Sequence, residues 1–393
     1  MSMITPEVRE KVDKVQSFAL IAGVIGLLVT GGLIAVQPKE TLQSYLISFL
    51  YFFSFSLGSL ALLMIQHVAG GVWGFAMRRL LEAGARCLLL LAILFLPILL
   101  LGLKEIYVWA DHEIAQKDHI IELKSGYLNV PFFTARYFIF FGIWSFLALA
   151  LSKLSKQEDE TAEARIGFWF KALSGPGIMA FAITGGLASV DWAMSVDVHW
   201  YSTMYPVLFC FGTILSAMIF HIVAMILLYQ GPDLEKHLTK NHLRDVGSFF
   251  LGFIIFWAYL TFSQYLLIWA ANLKEEVPYF LNRSEGGWQL VAISLGLGHF
   301  LLPFLVLLTR DAKRIKGNLL KVACFMLFMR FVDYFFLLGP SFSPKHFAFP
   351  IGQLTSLVGI GGLWLGCFLW QWKSMPPIPV RDPRILQQPI HGV

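Results

Sequence analysis

The sequence predicts an all-α integral membrane protein with ten transmembrane helices, arranged as two four-helix bundles flanked by the first and last helices. Hydrophobic residues make up 57% of the 393 residues and charged residues only 14%, which is too apolar for an ordinary soluble domain. The apolar residues gather in runs near or above the roughly 20 residues that a helix needs to cross a bilayer. A parallel internal repeat then groups these runs into two sets of four.

The ten apolar runs are joined by short loops, so no soluble domain is inserted between them. They lack the alternating pattern of barrel strands, and lipid solvates no unpaired backbone group, which leaves helices as the spanning form. The first run has the length of a full span, so we interpret it as a retained helix and not as a cleaved signal peptide. The predicted spans are residues 17–36, 44–69, 86–103, 132–152, 172–190, 203–229, 246–271, 288–309, 319–338 and 349–372.

The internal repeat is clearest between residues 58–67 in span two and residues 212–221 in span six, which align without gaps and both end in histidine. An offset of four spans preserves orientation, so the repeat is parallel. Chance similarity is the alternative, because apolar helices draw on few residue types. Two weaker matches keep the same order: Trp109-Ala110 with Trp269-Ala270, and Val190-Asp191-Trp192 with Val332-Asp333-Tyr334.

The repeat divides the chain into four parts. Residues 1–43 hold the N-terminus and span one, residues 44–202 the first four-helix bundle, and residues 203–345 the second. Residues 346–393 hold span ten and a proline-rich tail, which we expect to be extended and either to lie along a partner or to be disordered.

Basic residues are distributed unevenly between the loops. One set of alternate loops carries 21 lysines and arginines and the other carries seven. The positive-inside rule therefore places both termini in the cytoplasm. The segment 191–206 holds acidic and aromatic residues without any base, as expected for a connection at the outer interface. The net charge of +5 is explained by this orientation and gives no indication of nucleic acid binding.

The four cysteines are far apart, and no Cys-x-x-Cys motif occurs. This excludes a c-type haem attachment site in the chain and argues against an iron-sulfur cluster or a structural zinc site. We therefore predict no metal site. A membrane cytochrome with two b-type haems would need two pairs of axial histidines, and only His67, His221 and His299 lie inside spans.

Ionisable residues inside the spans are the candidates for function, since a charge in the bilayer is costly. The predicted orientation places His67 and His221 in the cytoplasmic half and Asp191 toward the outside. Histidine and carboxylate bracket neutral pH, which suits proton movement. The alternative is that these groups are satisfied core residues or ion pairs that fix helix register. The proton-path candidates are His67, His221, His299, Arg330, Asp333, Asp191, Asp197 and His199.

Arg330 and Asp333 are three residues apart and should share one helix face, where they can neutralise each other.

A quinone pocket is a second possibility in the same region. Such a pocket needs a hydrogen-bonding acid or histidine near each ring carbonyl and an apolar slot for the tail. Trp257 and Phe300 could supply the slot. The candidate polar residues are His299, Asp245, Asp333 and Tyr259.

Several stretches together resemble the ActF-type membrane subunit of alternative complex III, a bacterial quinol:cytochrome c or quinol:acceptor oxidoreductase of the NrfD/PsrC-like superfamily. These landmarks extend from span two to span nine, and their combination is more specific than any one of them. The resemblance rests on residues 62–74 (LLMIQHVAGGVWG), 78–83 (RRLLEA), 95–100 (FLPILL), 191–195 (DWAMS), 199–205 (HWYSTMY), 302–304 (LPF) and 309–314 (TRDAKR).

The resemblance implies a ten-helix subunit of two bundles in the bacterial cytoplasmic membrane. It implies as partners an ActC-like paralogous membrane subunit that oxidises quinol, iron-sulfur and multihaem c subunits on the outer face, and other small membrane subunits. Haem c and iron-sulfur clusters would belong to those partners, menaquinone or another quinone could bind in the complex, and this chain would hold no covalently bound cofactor. Its expected role is that of a scaffold and proton path without a catalytic residue of its own.

Two other functions fit the same sequence features. One is a quinone-binding NrfD/PsrC-like anchor of a reductase. The other is a secondary transporter, since a parallel repeat with charges in the membrane also fits alternating access. Transporters usually interrupt helices at the substrate site, and here the interruptions are limited to Pro97, Pro303 and the glycines at 359, 361 and 362.

Overall fold

The computed structural model describes residues 4–161, 164–344 and 346–379. Within these residues every regular element is helical, and ten helices are long and apolar enough to cross a membrane. Each predicted span overlaps one of them, so the ten-helix prediction is confirmed. The helices are α1 (Pro6–Val36), α2 (Pro38–Ala69), α3 (Arg78–Ile106), α4 (Val130–Thr161), α5 (Ala164–Trp192), α6 (Met204–Leu228), α7 (Lys240–Ala271), α8 (Trp288–Leu308), α9 (Lys316–Phe342) and α10 (Ile351–Lys373).

Ten is an even number of spans, so the beginning of α1 and the end of α10 lie at the same face of the molecule. Lys373 at the end of α10 donates to Asp13 near the beginning of α1. We call this side the terminal face and the opposite side the distal face. The distal connections contain short helices at Val108–Ala110, His112–Ala115, His119–Lys124 and Val277–Ser284, and the terminal connections contain Pro232–Glu235 and Arg310–Arg314.

The helices contact one another in two closed groups. Helices α2, α3, α4 and α5 each touch the next, and α5 returns to α2, forming the first helix group. Helices α6 to α9 do the same and form the second helix group. Contacts of α6 with α2 and with α5 join the two groups, and the predicted division into two four-helix bundles stays a prediction. Helix α10 lies outside both groups and touches α1, α2 and α3.

The two helix groups meet where α2 crosses α6, at the two segments that carry the repeat. A Cβ atom added to Gly58 would lie 2.0 Å from the carbonyl oxygen of Thr213 and 2.8 Å from the Ala217 methyl, so only glycine permits this approach. In the most apolar 18-residue stretch of α2, 94% of the residues are buried, whereas the share is 22% in the corresponding stretch of α1. Helix α2 is therefore the central helix of the protein.

The predicted helix interruptions at Pro97 and Pro303 do not break the helices. A π-helical segment, Ile98–Gly102, follows Pro97 in α3, and another, Leu295–Leu301, precedes Pro303 in α8. Such segments relieve the loss of a backbone hydrogen bond, and they occur frequently at functional sites. Helices α3 and α8 are therefore irregular but continuous at these prolines. They lack there the unwound breaks that would favour the transporter hypothesis.

Gly359 and Gly362 of α10 pack against α1, whereas Gly361 packs against Phe52 of α2. A Cβ atom at Gly26 would lie 2.6 Å from the backbone nitrogen of Gly359, and one at Gly362 would lie 2.4 Å from the carbonyl oxygen of Ala19. Small residues permit this close backbone approach in membrane helices. Beyond α10 the hydroxyl of Tyr229 donates to Pro377 O at 2.7 Å, and the predicted tail from residue 380 onward lies outside the described residues.

The contact between α1 and α10 predicts a difference between two glycines of α1. Gly26→Leu should lower the free energy of unfolding by about 1–3 kcal/mol, because the new side chain would overlap the α10 backbone. Gly31→Leu is the matched control, since no atom lies within 4 Å of a Cβ at that position. Thermal unfolding of both variants in one detergent measures the difference, and equal midpoints would contradict the close contact.

Candidate functional site

Arg136 of α4 and Asp191 of α5 form a buried ion pair near the distal face. The Nε and Nη2 atoms of Arg136 donate to the Asp191 carboxylate at 2.6 and 3.0 Å. The Nη1 atom donates to Tyr127 O at 3.0 Å, and the guanidinium carbon lies 3.9 Å from the centre of the Tyr127 ring. Two parallel hydrogen bonds between buried partners hold both side chains in one geometry. The ion pair therefore holds the Asp191 carboxylate in one position.

A larger ionic network lies at the terminal end of the same helix group. Arg78 and Arg79 donate to the two Glu82 carboxylate oxygens at 3.2 and 2.8 Å. Both arginines also donate to the Ser155 hydroxyl, which in turn donates to Glu82 at 2.5 Å. Arg79 makes a further contact with Asp159. The network ties α3 to α4. The spacing of three and four residues between these arginines and Glu82 was its signal in the sequence.

His67 lies next to this network and is nearly fully buried. Its Nδ1 atom is 3.2 Å from the Ser174 hydroxyl of α5. The Phe170 ring lies between the histidine, at 4.4 Å between ring centres, and the Arg78 guanidinium, at 4.6 Å. His67 thus belongs to the contacts that join α2, α3 and α5.

The interior of the first helix group between His67 and Asp191 is filled with aromatic rings. Ser174 and Asp191 are separated by roughly 25 Å along α5. The indole of Trp144 donates to Thr184 at 2.8 Å in this stretch. Neighbouring ring centres lie 4.7 to 6.4 Å apart, and the packed residues are Phe49, Phe53, Phe95, Phe140, Phe141, Trp144 and Trp192. An apolar core therefore separates His67, near the terminal face, from Asp191, near the distal face.

His221 of α6 lies at the junction of the two helix groups. Its Nε2 atom is 2.7 Å from the hydroxyl of Ser59 in α2, and this hydroxyl is 2.5 Å from Phe55 O. The Nδ1 atom is buried and has no hydrogen-bond partner among the described residues. Gly84 of α3 brings its backbone close, since a Cβ there would lie 3.2 Å from the imidazole. The histidine is thus enclosed by three helices.

Arg330 and Asp333 of α9 form the ion pair that their spacing predicted, with Nη1 2.6 Å from the carboxylate. The Nε and Nη2 atoms of Arg330 donate to the Ser216 hydroxyl and to Gly212 O, both at 3.0 Å. Ser216 lies on α6, about 7.5 Å along the helix from His221. The side chain of Asp333 is 20% exposed, whereas that of Asp191 is 1% exposed. Asp333 is therefore the accessible carboxylate of the two.

His299 lies in the π-helical segment Leu295–Leu301 of α8 and is fully buried. Neither ring nitrogen has a hydrogen-bond partner among the described residues. The imidazole packs on the indole of Trp257, with ring centres 3.9 Å apart. Burying an imidazole without hydrogen-bond partners is costly. A hydrogen bond between a ring nitrogen and a water molecule would lower this cost.

A cavity of about 590 Å³ lies beside this histidine, between α7, α8, α9 and the short helix Val277–Ser284. Its walls are mostly apolar. Trp257, which covers His299, and Asp333 both belong to the lining. The lining residues are Trp257, Ala258, Thr261, Phe262, Tyr265, Phe280, Arg283, Ser284, Gln289, Ala292, Ile293, Leu295, Gly296, Phe300, Asp333 and Phe336.

The segment 191–206 extends from α5 over the distal end of the second helix group. Trp200 stacks on Tyr279 at 3.8 Å with an interplanar angle of 11°. The guanidinium carbon of Arg283 also lies over the Tyr279 ring, 3.3 Å from the ring centre. Burial raises the pKa of Asp197, and the positive charges of Arg283 and His199 oppose this shift. Asp197 therefore holds its proton to higher pH than an exposed aspartate would.

The structure separates Asp245 and Tyr259 from the other predicted residues. Asp245 pairs with Arg244 at 2.9 Å on the exposed surface near the terminal face, and Tyr259 is 62% exposed. Neither residue lines the cavity beside His299, because Asp245 is about 18 Å away from Trp257 along α7 and Tyr259 points outward. His199 is half exposed and lies 3.1 Å from Asp118. The structure does not bring Asp245 and Tyr259 together with His299 and Asp333.

Arg283, which no sequence motif singled out, lies between Asp197 and the cavity. It is buried and donates to Tyr279 O and Leu337 O, both at 2.8 Å. Its position in a loop between spans gave no signal other than its charge. No group of three or more histidine, cysteine or acidic residues in the described ranges could hold a metal ion.

No protein-family model matches the sequence, and no curated protein matches it.

The Arg136 ion pair predicts the effect of removing its charge. Asp191→Asn should destabilise the protein by about 3–5 kcal/mol, because it leaves a buried guanidinium without a counterion. A double variant, Arg136→Met with Asp191→Leu, should recover most of that loss. Thermal unfolding of the purified protein measures both effects.

The control for this experiment is Asp245→Asn, which removes an exposed carboxylate and should change stability by less than about 1 kcal/mol. An Asp191→Asn protein as stable as the Asp245→Asn protein would refute the structural role.

Proposed function

We propose that the protein is an integral membrane subunit of a quinol-oxidising electron-transfer complex of the alternative complex III type, which supplies scaffold and a proton path. The observation that carries this proposal is the series of polar groups in the second helix group, from His221 through Ser216 and Arg330 to Asp333. These groups lie in an otherwise apolar chain, where polar groups are retained at a cost.

The terminal half of the proposed path contains His221 and Ser59, which are 2.7 Å apart. Imidazole and hydroxyl groups can both donate and accept, so they can pass a proton between them. Ser216 lies on α6 on the distal side of His221 and accepts a hydrogen bond from Arg330. The remaining distance of about 7.5 Å between His221 and Ser216 requires at least one bridging water.

The distal half of the proposed path begins at Asp333. A second cavity of about 20 Å³ is lined by this carboxylate together with Tyr205, Gly212, Arg330 and Tyr334 among others. That volume accommodates one water molecule.

Beyond this cavity lie Arg283 and the half-buried Asp197, whose raised pKa suits proton release at the distal face. The path would therefore end in the segment that joins the two helix groups.

The first helix group supports the scaffold part of the proposal. Its buried charges are occupied by fixed partners, as in the Arg136 and Asp191 pair, and its centre is filled by aromatic rings. We therefore propose Asp191 as a structural corner, and we place the proton exit at Asp197. His67 and its Ser174 contact belong to the same scaffold in this proposal.

The proposed setting is a bacterial cytoplasmic membrane with the terminal face inside, as the basic loops predict. The proposed partners are an ActC-like paralogous subunit, outer iron-sulfur and multihaem c subunits, and small membrane subunits. Electrons would pass through those partners. The support for this part is the resemblance of residues 62–74 and 191–205 to the family.

A second candidate function is that of a quinone-binding anchor, and the cavity of about 590 Å³ favours it. Its apolar walls fit an isoprenoid tail, while the Asp333 carboxylate and the Arg283 guanidinium could accept from and donate to the ring oxygens. His299 lies behind Trp257 and would reach a ring only if that indole moved. The residues present thus fit a quinone.

The proton path predicts that Asp333→Asn and His221→Ala complexes lower the number of protons released per electron. Each substitution removes a group that exchanges protons, while the quinol-oxidising partner is untouched. The measurement is proton release and quinol turnover by the intact complex in proteoliposomes. Asp245→Asn is the control and should leave both values unchanged. Full turnover with an unchanged ratio in both variants would refute the path.

Membership in a complex predicts the composition of the purified protein. When the chain is extracted in mild detergent, multihaem and iron-sulfur subunits should co-purify with it, as visible absorption and mass spectrometry would show. A chain that purifies alone and binds a solute would instead favour the transporter alternative. Extraction of quinone from the chain freed of its partners would favour the quinone-binding anchor.

A further inference from the structure

A separate polar cavity of about 190 Å³ lies at the distal face, outside the sites described above. It is formed where α2 begins, α9 ends and α10 begins. Both helix groups contribute to it only through their ends. The residues that line it are Glu40, Gln43, Ser44, Ile47, Phe335, Gly339, Phe342, Ser343, Ala348, Phe349, Pro350 and Gln353.

The polar atoms offered by this cavity are mainly hydrogen-bond acceptors. Glu40 contributes an exposed carboxylate at the rim. Gln353 is fully buried and uses its Nε2 atom to donate to Ser48 at 2.8 Å, so its Oε1 atom is left without a partner among the described residues. The Ser44 hydroxyl donates to Glu40 O at 2.8 Å, so it can offer a ligand only the lone pairs of its oxygen. Gln43 and Ser343, which can donate as well as accept, complete the polar lining, and the three acceptor groups favour a ligand that donates hydrogen bonds.

The apolar part of the cavity consists largely of aromatic rings. Phe335, Phe342 and Phe349 all line it, and the first and third of these have ring centres 5.5 Å apart. Aromatic rings attract cations through their negatively charged faces, and a carboxylate beside them strengthens the preference. The described lining contains no lysine or arginine that would compete for this role.

We propose that this cavity binds an ammonium group, and that the ammonium group is the headgroup of a phospholipid such as phosphatidylethanolamine. An ammonium ion is a cation with several N–H donors, which matches the Glu40 carboxylate, the Gln353 Oε1 atom and the three phenylalanine rings. The cavity lies at the ends of three spanning helices, which is the depth of lipid headgroups. The inference does not depend on the proposed electron-transfer function.

Glu40 is the best position for a test, because its side chain is exposed and Glu40→Gln preserves its size without disturbing the core. The full-length protein is placed in nanodiscs of phosphatidylglycerol with or without phosphatidylethanolamine. Lipid retained by the protein is then measured by native mass spectrometry, and stability by thermal unfolding. Glu122→Gln is the matched control, since Glu122 is another exposed distal carboxylate that does not line the cavity.

The expected result is that phosphatidylethanolamine is retained preferentially and raises the unfolding midpoint of the unmodified protein. Glu40→Gln should weaken this retention about tenfold, because it removes a charge-assisted hydrogen bond, and Glu122→Gln should not. A second variant, Phe342→Leu, should weaken retention by a smaller factor through loss of the ring.

A further arm adds free ethanolamine to phosphatidylglycerol nanodiscs, which separates the two sources of the ammonium group. If ethanolamine alone raises the midpoint as much as the lipid does, and Glu40→Gln abolishes that effect, the lipid source is refuted and a small amine is the ligand. Equal retention of the two lipids by the unmodified protein, or equal retention by the Glu40→Gln and unmodified proteins, would overturn the proposal.

Discussion

The close crossing of α2 and α6 is the constraint on which the rest of the structure depends. Gly58 allows the two backbones to touch at Thr213, and the adjacent residue, Ser59, then presents its hydroxyl to His221. Any side chain at position 58 would separate the helix groups and break this hydrogen bond. Because α2 also packs on α3, α5 and α10, a shift of this helix would be felt in every part of the molecule.

The buried arginines show three different solutions to the cost of placing a charge in an apolar environment. Arg136 takes its carboxylate from a neighbouring helix, and Arg330 takes one from the next turn of its own helix. Arg283 is bonded to backbone carbonyl oxygens. In the first case both oxygens of Asp191 are bonded to the arginine and buried, whereas in the second case Asp333 remains accessible to a cavity. This difference is what separates a structural site from a candidate functional one.

The ten spans could be predicted from sequence because span length depends only on the thickness of the bilayer. The pairing of Arg330 with Asp333 was also predictable, since the two lie three residues apart on one helix. The partner of Arg136 was not, because Arg136 and Asp191 are 55 positions apart and their contact depends on how α4 and α5 pack. The sequence likewise could not show that Tyr259 faces outward while Trp257, two residues away, lines the cavity.

The packing of α1 on α10 bears on the order in which the protein can be assembled. Helix α1 has its main contact surface on α10, and most of its remaining surface is exposed. Among the ten helices, the one made first therefore has only its smaller contact with α2 until the one made last has entered the bilayer. The contacts within the two helix groups do not involve α1. We therefore expect α1 to complete its packing last, against helices that are already assembled.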